Sequence, residues 1–161
     1  MPIKKRAQAW GFDLIIATTI FVAGIVVFYL YSLNFADQSE EIINSLNYDG
    51  EIIGDMLLSE GFPKNWTESN VVTIGITSKN KLNQTKMENF YNLAANDYSK
   101  TKGLFNTRYD YYVFFAENIS VGGIEREGIG RKPVNQNNLI KLNRIVIYNE
   151  KPTTINIEVW Q

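Results

Sequence analysis

The chain has 161 residues and a formal net charge of −1, with 16 Lys and Arg against 17 Asp and Glu. A nucleic-acid binder usually shows a strong basic excess or patch, so that class is set aside. The chain contains neither cysteine nor histidine. Disulfides, Cys/His zinc sites, thiol nucleophiles and His-based triads are therefore excluded, while a carboxylate-built metal or glycosidase site stays open.

Lys4, Lys5 and Arg6 form the one basic cluster, and the remainder of the chain is mildly acidic and evenly charged. From Leu14 to Leu33 the sequence LIIATTIFVAGIVVFYLYSL carries no charge. At about 1.5 Å per residue this run spans about 30 Å, the thickness of a bilayer's hydrocarbon core. Trp10 stands at one end, and Tyr29 and Tyr31 at the other, as interfacial aromatic belts do. A buried core helix is the alternative, but those flanks are not needed in one. The basic cluster precedes the span and Asp37, Glu40 and Glu41 follow it. The positive-inside rule then puts the N-terminus in the cytoplasm and the rest outside. A secretory signal would have a shorter apolar stretch and an A-x-A-like site, which Tyr29-Leu30-Tyr31-Ser32-Leu33 does not supply.

The next 25 residues contain no proline. Ile42, Leu46, Ile53 and Leu57 recur at helical spacing, widened by Ile43, Ile52 and Met56, with acidic residues between them. One helix from about Gln8 to about Ser59 is predicted, about 75 Å long, stopping before Gly61 and Pro63. Gly50 and Gly54 each weaken its second half by about 1 kcal/mol and mark a place for a bend.

The remaining hundred or so residues read as a β-rich head. VVTIGI (71–76) is predicted as a strand. Residues 83–105 read as one or two short helices, with Asp97 a cap and Gly103 a stop. RYDYYVFFAE (108–117) is a strong strand with Tyr109, Tyr111, Val113 and Phe115 on one face and Tyr112 and Phe114 on the other. Residues 120–138 are glycine-rich and loop-like. Residues 139–148 and 153–160 form a terminal antiparallel hairpin turning at 149–152. The fold class expected is α+β: a long N-terminal transmembrane and amphipathic helix, then a small, mainly antiparallel sheet with a short helical insertion. The expected divisions are 1–7, a basic leader; 8–60, the helix; and 61–161, the extracytoplasmic head.

A basic stub, a small-residue junction, an apolar helix, an amphipathic continuation and a β-rich head together resemble a type IV pilin-like protein, in its archaeal form with a class III signal peptide. The matching junction is Lys5-Arg6-Ala7-Gln8. The resemblance is specific there and architectural beyond about residue 35. It implies leader recognition through Lys4, Lys5 and Arg6, cleavage between Ala7 and Gln8 by a prepilin-type peptidase, and assembly with other pilin subunits into a cell-surface filament serving adhesion or as an appendage. It implies no cofactor and no metal. Many pilins carry Glu at the fifth mature position, which here is Phe12, with Asp13 one place later. A second register, cut after Gly11, would want Glu where Ile16 stands. Asp13 has two readings: a carboxylate at headgroup level that helps start the helix, or a partner for a neighbouring subunit's Gln8 amine inside the filament core. The alternative function is an uncleaved single-pass protein with an extracytoplasmic binding or accessory domain.

Other features carry less. Asn65, Asn83 and Asn118 open Asn-x-Ser/Thr sequons suited to glycosylation of an external head. YDYYVFF is read as a two-faced core strand rather than a stacking platform. GGIEREGIGRK matches no phosphate-loop spacing. Thr19 and Ala23 place small residues one turn apart. Glu125 and Glu127 are too isolated for an acid/base pair.

Overall fold

In the computed structural model, residues 4–116, 119–121, 123–136 and 138–161 are described, with the backbone alone for 4–10, 34–39, 119–121 and 124. A single helix, α1, runs Lys4–Leu58. The chain divides into two compact units, Met1–Glu41 and Ile42–Gln161.

In the second unit, Leu46, Ile53 and Leu57 of α1 are fully buried, and Ile42 and Met56 pack beside them. Ile43, expected in the same stripe, is instead exposed. Gly50 and Gly54 allow close approach to the sheet. A Cβ on Gly50 would stand 2.3 Å from Leu142 Cδ1 and 2.9 Å from Ile140 Cδ1, and one on Gly54 3.2 Å from Ile157 Cδ1. Both glycines thus let the helix lie against the strands. The end of α1 is closed from outside: Ile76 N–H donates to Leu57 O, the Thr77 hydroxyl to Leu58 O and Thr77 N–H to Ser59 O. Those bonds satisfy carbonyls that a helix terminus leaves without partners.

They also explain why residues 71–76 are not the predicted strand. The segment makes one isolated bridge, Phe62 to Thr73, donates from Val71 to Thr67 O and from Val72 and Thr73 to Phe62 O, and sends Ile76 N–H to the α1 terminus. Val71, Ile74 and Ile76 are buried as a strand's would be, but in irregular backbone. Regular pairing starts only at β1 (Thr77–Ser78) and β2 (Lys81–Leu82).

Helices α2 (Gln84–Asn96) and α3 (Tyr98–Phe105) follow. Asn83 caps α2 by accepting from Lys86 N–H, and Asp97 caps α3 by accepting from Lys100 N–H. Asp97 therefore has the predicted role. Gly103 does not: it lies inside α3, which ends at Asn106 in the left-handed region at φ +55°. Asparagine tolerates that conformation, so glycine was not required.

Strand β3 spans Asp110–Phe115. The stretch read as a loop holds β4 (Ile119–Val121), β5 (Ile124–Arg126) and β6 (Ile129–Gly130), with β4 and β5 paired to each other and β6 paired to β3. A Cβ on Gly130 would meet Tyr111 O at 2.5 Å and one on Gly128 would meet Val113 O at 2.7 Å, so these two glycines serve close strand approach. The hairpin is β7 (Leu139–Tyr148) and β8 (Lys151–Trp160). Its turn is tighter than expected, with Asn149 and Glu150 both at positive φ, and Pro152 already in β8. The main sheet has six strands in the order β1-β2-β7-β8-β3-β6, all neighbours antiparallel except β2 and β7. The fold class is α+β, as expected.

The inner face of the sheet (Tyr111, Val113, Ile155, Ile157, Val159) meets α1, α2 and α3 in one core. Phe105 and Phe90 lie edge-to-face at 5.8 Å, and Phe105 and Tyr111 at 5.2 Å. Tyr112, on the other face of β3, is also buried, under the chain at Gly128. The core reading of YDYYVFF thus holds on the inner face; on the other, Tyr112 is buried outside the main core and Phe114 is half-buried.

Asp110 accepts from Lys102 and Arg131, both at 3.1 Å. Burial acts to raise its pKa, but the Lys102 hydrogen bond and the Lys102 and Arg131 charges outweigh it and hold the carboxyl below the usual aspartate range. A folded-state pKa below the unfolded one gives stability that is present above about pH 4 and lost as pH falls through the folded value. Asp110→Asn is expected to shrink the acid-induced loss. Denaturant midpoints of the full chain in detergent, at neutral and acid pH, check this; an unchanged acid loss would refute it.

Candidate functional site: the apolar helix and its basic approach

Gly11–Leu33 of α1 is long and apolar enough to cross a membrane, a property it shares with signal sequences. Every side chain in this segment is exposed within the chain, including Phe12, Ile20, Phe21 and Phe28 at 65–72%. Helical residues apolar on all sides are stable in water only when something covers them, either lipid or other helices. The two threonines do not oppose burial. The Thr18 hydroxyl donates to Leu14 O and the Thr19 hydroxyl to Ile15 O, both at 2.8 Å, so neither needs an outside partner. A Cβ added at Gly11 or Gly24 would meet nothing within 4 Å beyond the helix's own backbone. Thr19 and Ala23 are likewise exposed.

Lys4, Lys5, Arg6, Ala7 and Gln8 are all helical in α1, and their side chains lie outside the described residues. Asp13 is exposed on the same helix, directly before the apolar run. Gln8 and Asp13 are five residues apart, about 140° around the axis and about 7.5 Å along it. Helix geometry therefore does not bring them together within one copy. Any pairing of the Gln8 amine with Asp13 has to be between copies.

In the second unit, Asn65 is exposed and Asn83 half-buried. They line one surface depression of about 350 Å³, together with Thr67, Thr85, Lys86 and Asn89. Asn83 Oδ1 is committed to the α2 cap, and the Thr67 hydroxyl bonds Asn70. Asn118 lies outside the described residues. Glu127 is exposed and ion-paired to Lys132 at 2.7 Å, which holds its pKa low. Glu125 is exposed nearby, and among the described residues no three carboxylates gather as metal ligands.

One functional-looking group was not foreseen. Lys86 is buried in α2, and its ammonium donates to Glu60 O at 2.7 Å and Thr77 O at 2.8 Å. Burial lowers its pKa, against the opposing pull of Glu60. Its charge is spent on fastening the residues after α1 to the sheet, a structural duty. A lone lysine in a polar helix gives no sign of this in sequence.

These elements define an α+β protein with a long apolar N-terminal helix whose later turns pack on a mainly antiparallel sheet, a fold that resembles a pilin. No family model, curated protein or solved structure matches the chain.

Proposed function

We propose that the chain is a non-catalytic, pilin-like structural subunit, made as a membrane precursor with its N-terminus in the cytoplasm and its head outside. A prepilin-type peptidase cuts it after Ala7, and the mature chain joins other subunits in a cell-surface filament. The observation that carries this is the 23-residue helical segment Gly11–Leu33, apolar and exposed on every side. Lipid covers such a surface in the precursor, and neighbouring copies of the helix cover it in a filament. The Lys4-Lys5-Arg6-Ala7-Gln8 approach and the lone Asp13 are features that a plain anchor does not need.

In the filament, Asp13 faces the Gln8 amine of another copy, because an unpaired carboxylate among apolar helices would cost about 3–5 kcal/mol. The test uses cells that make the chain together with a prepilin-type peptidase and assembly ATPase. The chain is expected in the sheared extracellular fraction, with residues 1–7 gone. Asp13→Ala is expected to keep the cleavage and lose at least about tenfold of the sheared material, at 1.4 kcal/mol per decade. Wild-type chain found only in the membrane fraction would sink the filament reading. Unaltered shedding of Asp13→Ala would sink the charge pair.

A further inference from the structure

We infer that the depression on the outer face of the sheet, beside Tyr112, binds a neutral pyranose unit of an oligosaccharide. The site lies within the second unit, and the inference stands whether or not the chain enters a filament.

Strand alternation gives β3 and β8 two unlike faces. Tyr111, Val113, Ile155, Ile157 and Val159 enter the core with the helices. Tyr112 and Phe114 of β3 lie on the other face, and so does Glu158 of β8, opposite Tyr112. The chain crosses beside β3 as β6, and Glu127, Lys132 and Pro133, before and after β6, border that face. Together they enclose a depression of about 400 Å³, with Phe114, Phe115 and Pro133 as its apolar wall. Sites for small molecules start at about 300 Å³.

An open depression is ordinary on a protein surface, and three observations give this one a ligand. First, two polar groups that line it have no partner in the protein. Tyr112 is only 7% exposed, yet its hydroxyl makes no hydrogen bond among the described residues. Burial raises its pKa, against the charge of Lys132 and with those of Glu127 and Glu158, so at neutral pH it is an O–H donor. Glu158 is half-buried and forms no ion pair among the described residues. Lys141, opposite it on β7, holds its ammonium over the Phe114 ring at 4.8 Å instead. Buried polar groups without partners cost stability, and a ligand that bonds them removes that cost. Second, the charges cancel. Glu127 pairs with Lys132 at 2.7 Å, and Lys141 offsets Glu158. An anion would meet two carboxylates here, and a cation two ammonium groups, so a neutral ligand fits best. Third, the polar groups stand beside the apolar wall. A pyranose ring matches that division, with a C–H face and a rim of hydroxyls. The C–H face meets the wall, adjacent hydroxyls donate to the Glu158 carboxylate, and a ring substituent oxygen accepts from Tyr112.

The experiment presents the full chain, in a detergent without a sugar headgroup, to an array of neutral oligosaccharides of glucose, galactose, mannose and N-acetylglucosamine. Sialylated and amino-sugar oligosaccharides serve as charged comparisons. Retention by neutral members is expected. Tyr112→Phe and Glu158→Gln each remove a contact to the sugar, and no hydrogen bond or ion pair among the described residues. Both are therefore expected to unfold in denaturant as the wild type does, and to bind the retained oligosaccharide about tenfold or more weakly. Titration of the wild type with that oligosaccharide is expected to shift the Tyr112 ring signals in spectra of carbon-labelled chain, and this measurement serves if a variant misfolds. Retention of no neutral oligosaccharide would overturn the inference, as would retention of charged members alone. Wild-type affinity in either variant would overturn it too, as would shifts confined to tyrosines away from the depression.

Discussion

Gly75→Ala is expected to destabilise the head by about 3 kcal/mol or more, at the upper end of what overpacking costs. A Cβ on Gly75 would lie 2.2 Å from Gly61 N and 2.5 Å from Ser59 O. Both are backbone atoms, so no side chain can rotate away to make room. Gly75 also supplies the carbonyl that accepts Trp66 Nε1–H at 2.8 Å, and Trp66 is buried. Pushing residue 75 outward would break that bond along with the bonds from Ile76 and Thr77 to the end of α1. The matched control is Gly103→Ala: nothing lies within 4 Å of the added carbon, and the residue sits inside α3. Helix propensity alone should then raise stability by up to about 1 kcal/mol. Thermal or denaturant unfolding of both variants checks the pair. A Gly75→Ala variant as stable as wild type would refute the close packing at this junction.

Lys86→Met is the second large effect, expected at about 3 kcal/mol. The substitution keeps the apolar stem and removes the donors, leaving Glu60 O and Thr77 O without the ammonium between them. Charge-assisted hydrogen bonds contribute about 1.5–3 kcal/mol each, and an orphaned buried acceptor costs further. The comparison is Lys64→Met. That lysine is 83% exposed and forms a surface ion pair with Glu60 at 3.5 Å, so its loss should be within about 0.5 kcal/mol. If the two variants unfold together, Lys86 is not the fastener described above.

Both positions show where the sequence is legible and where it is not. The hairpin is readable because its alternation is local: residues 139–148 and 151–160 each present one face to α1 and one away. Asp97 is readable as a cap because an Asx side chain reaches a backbone N–H three residues on, whatever the rest of the fold does, and Asn83 caps α2 in the same way. Residues 71–76 were misread because β-branched composition reports burial and extension, while strand pairing needs a neighbour with free groups. The neighbour here is the end of a helix. Gly50, Gly54 and Gly75 look like breakers in the chain, but each is a contact with residues distant in sequence, so no local window reveals it. The apolar span is the opposite case, since length and composition define it completely. Its exposure within the chain follows from having no partner face in a single copy.

The central claim is that this chain is a processed precursor rather than a permanent anchor, and it rests on the peptide bond between Ala7 and Gln8. Intact mass and N-terminal peptide analysis of the native protein from the cell surface test it most directly. The account predicts a chain that begins at Gln8, with Lys4, Lys5 and Arg6 removed. A mature surface protein that still begins at Met1 or Pro2 would contradict it, and one that begins at Phe12 would contradict the position of the cut.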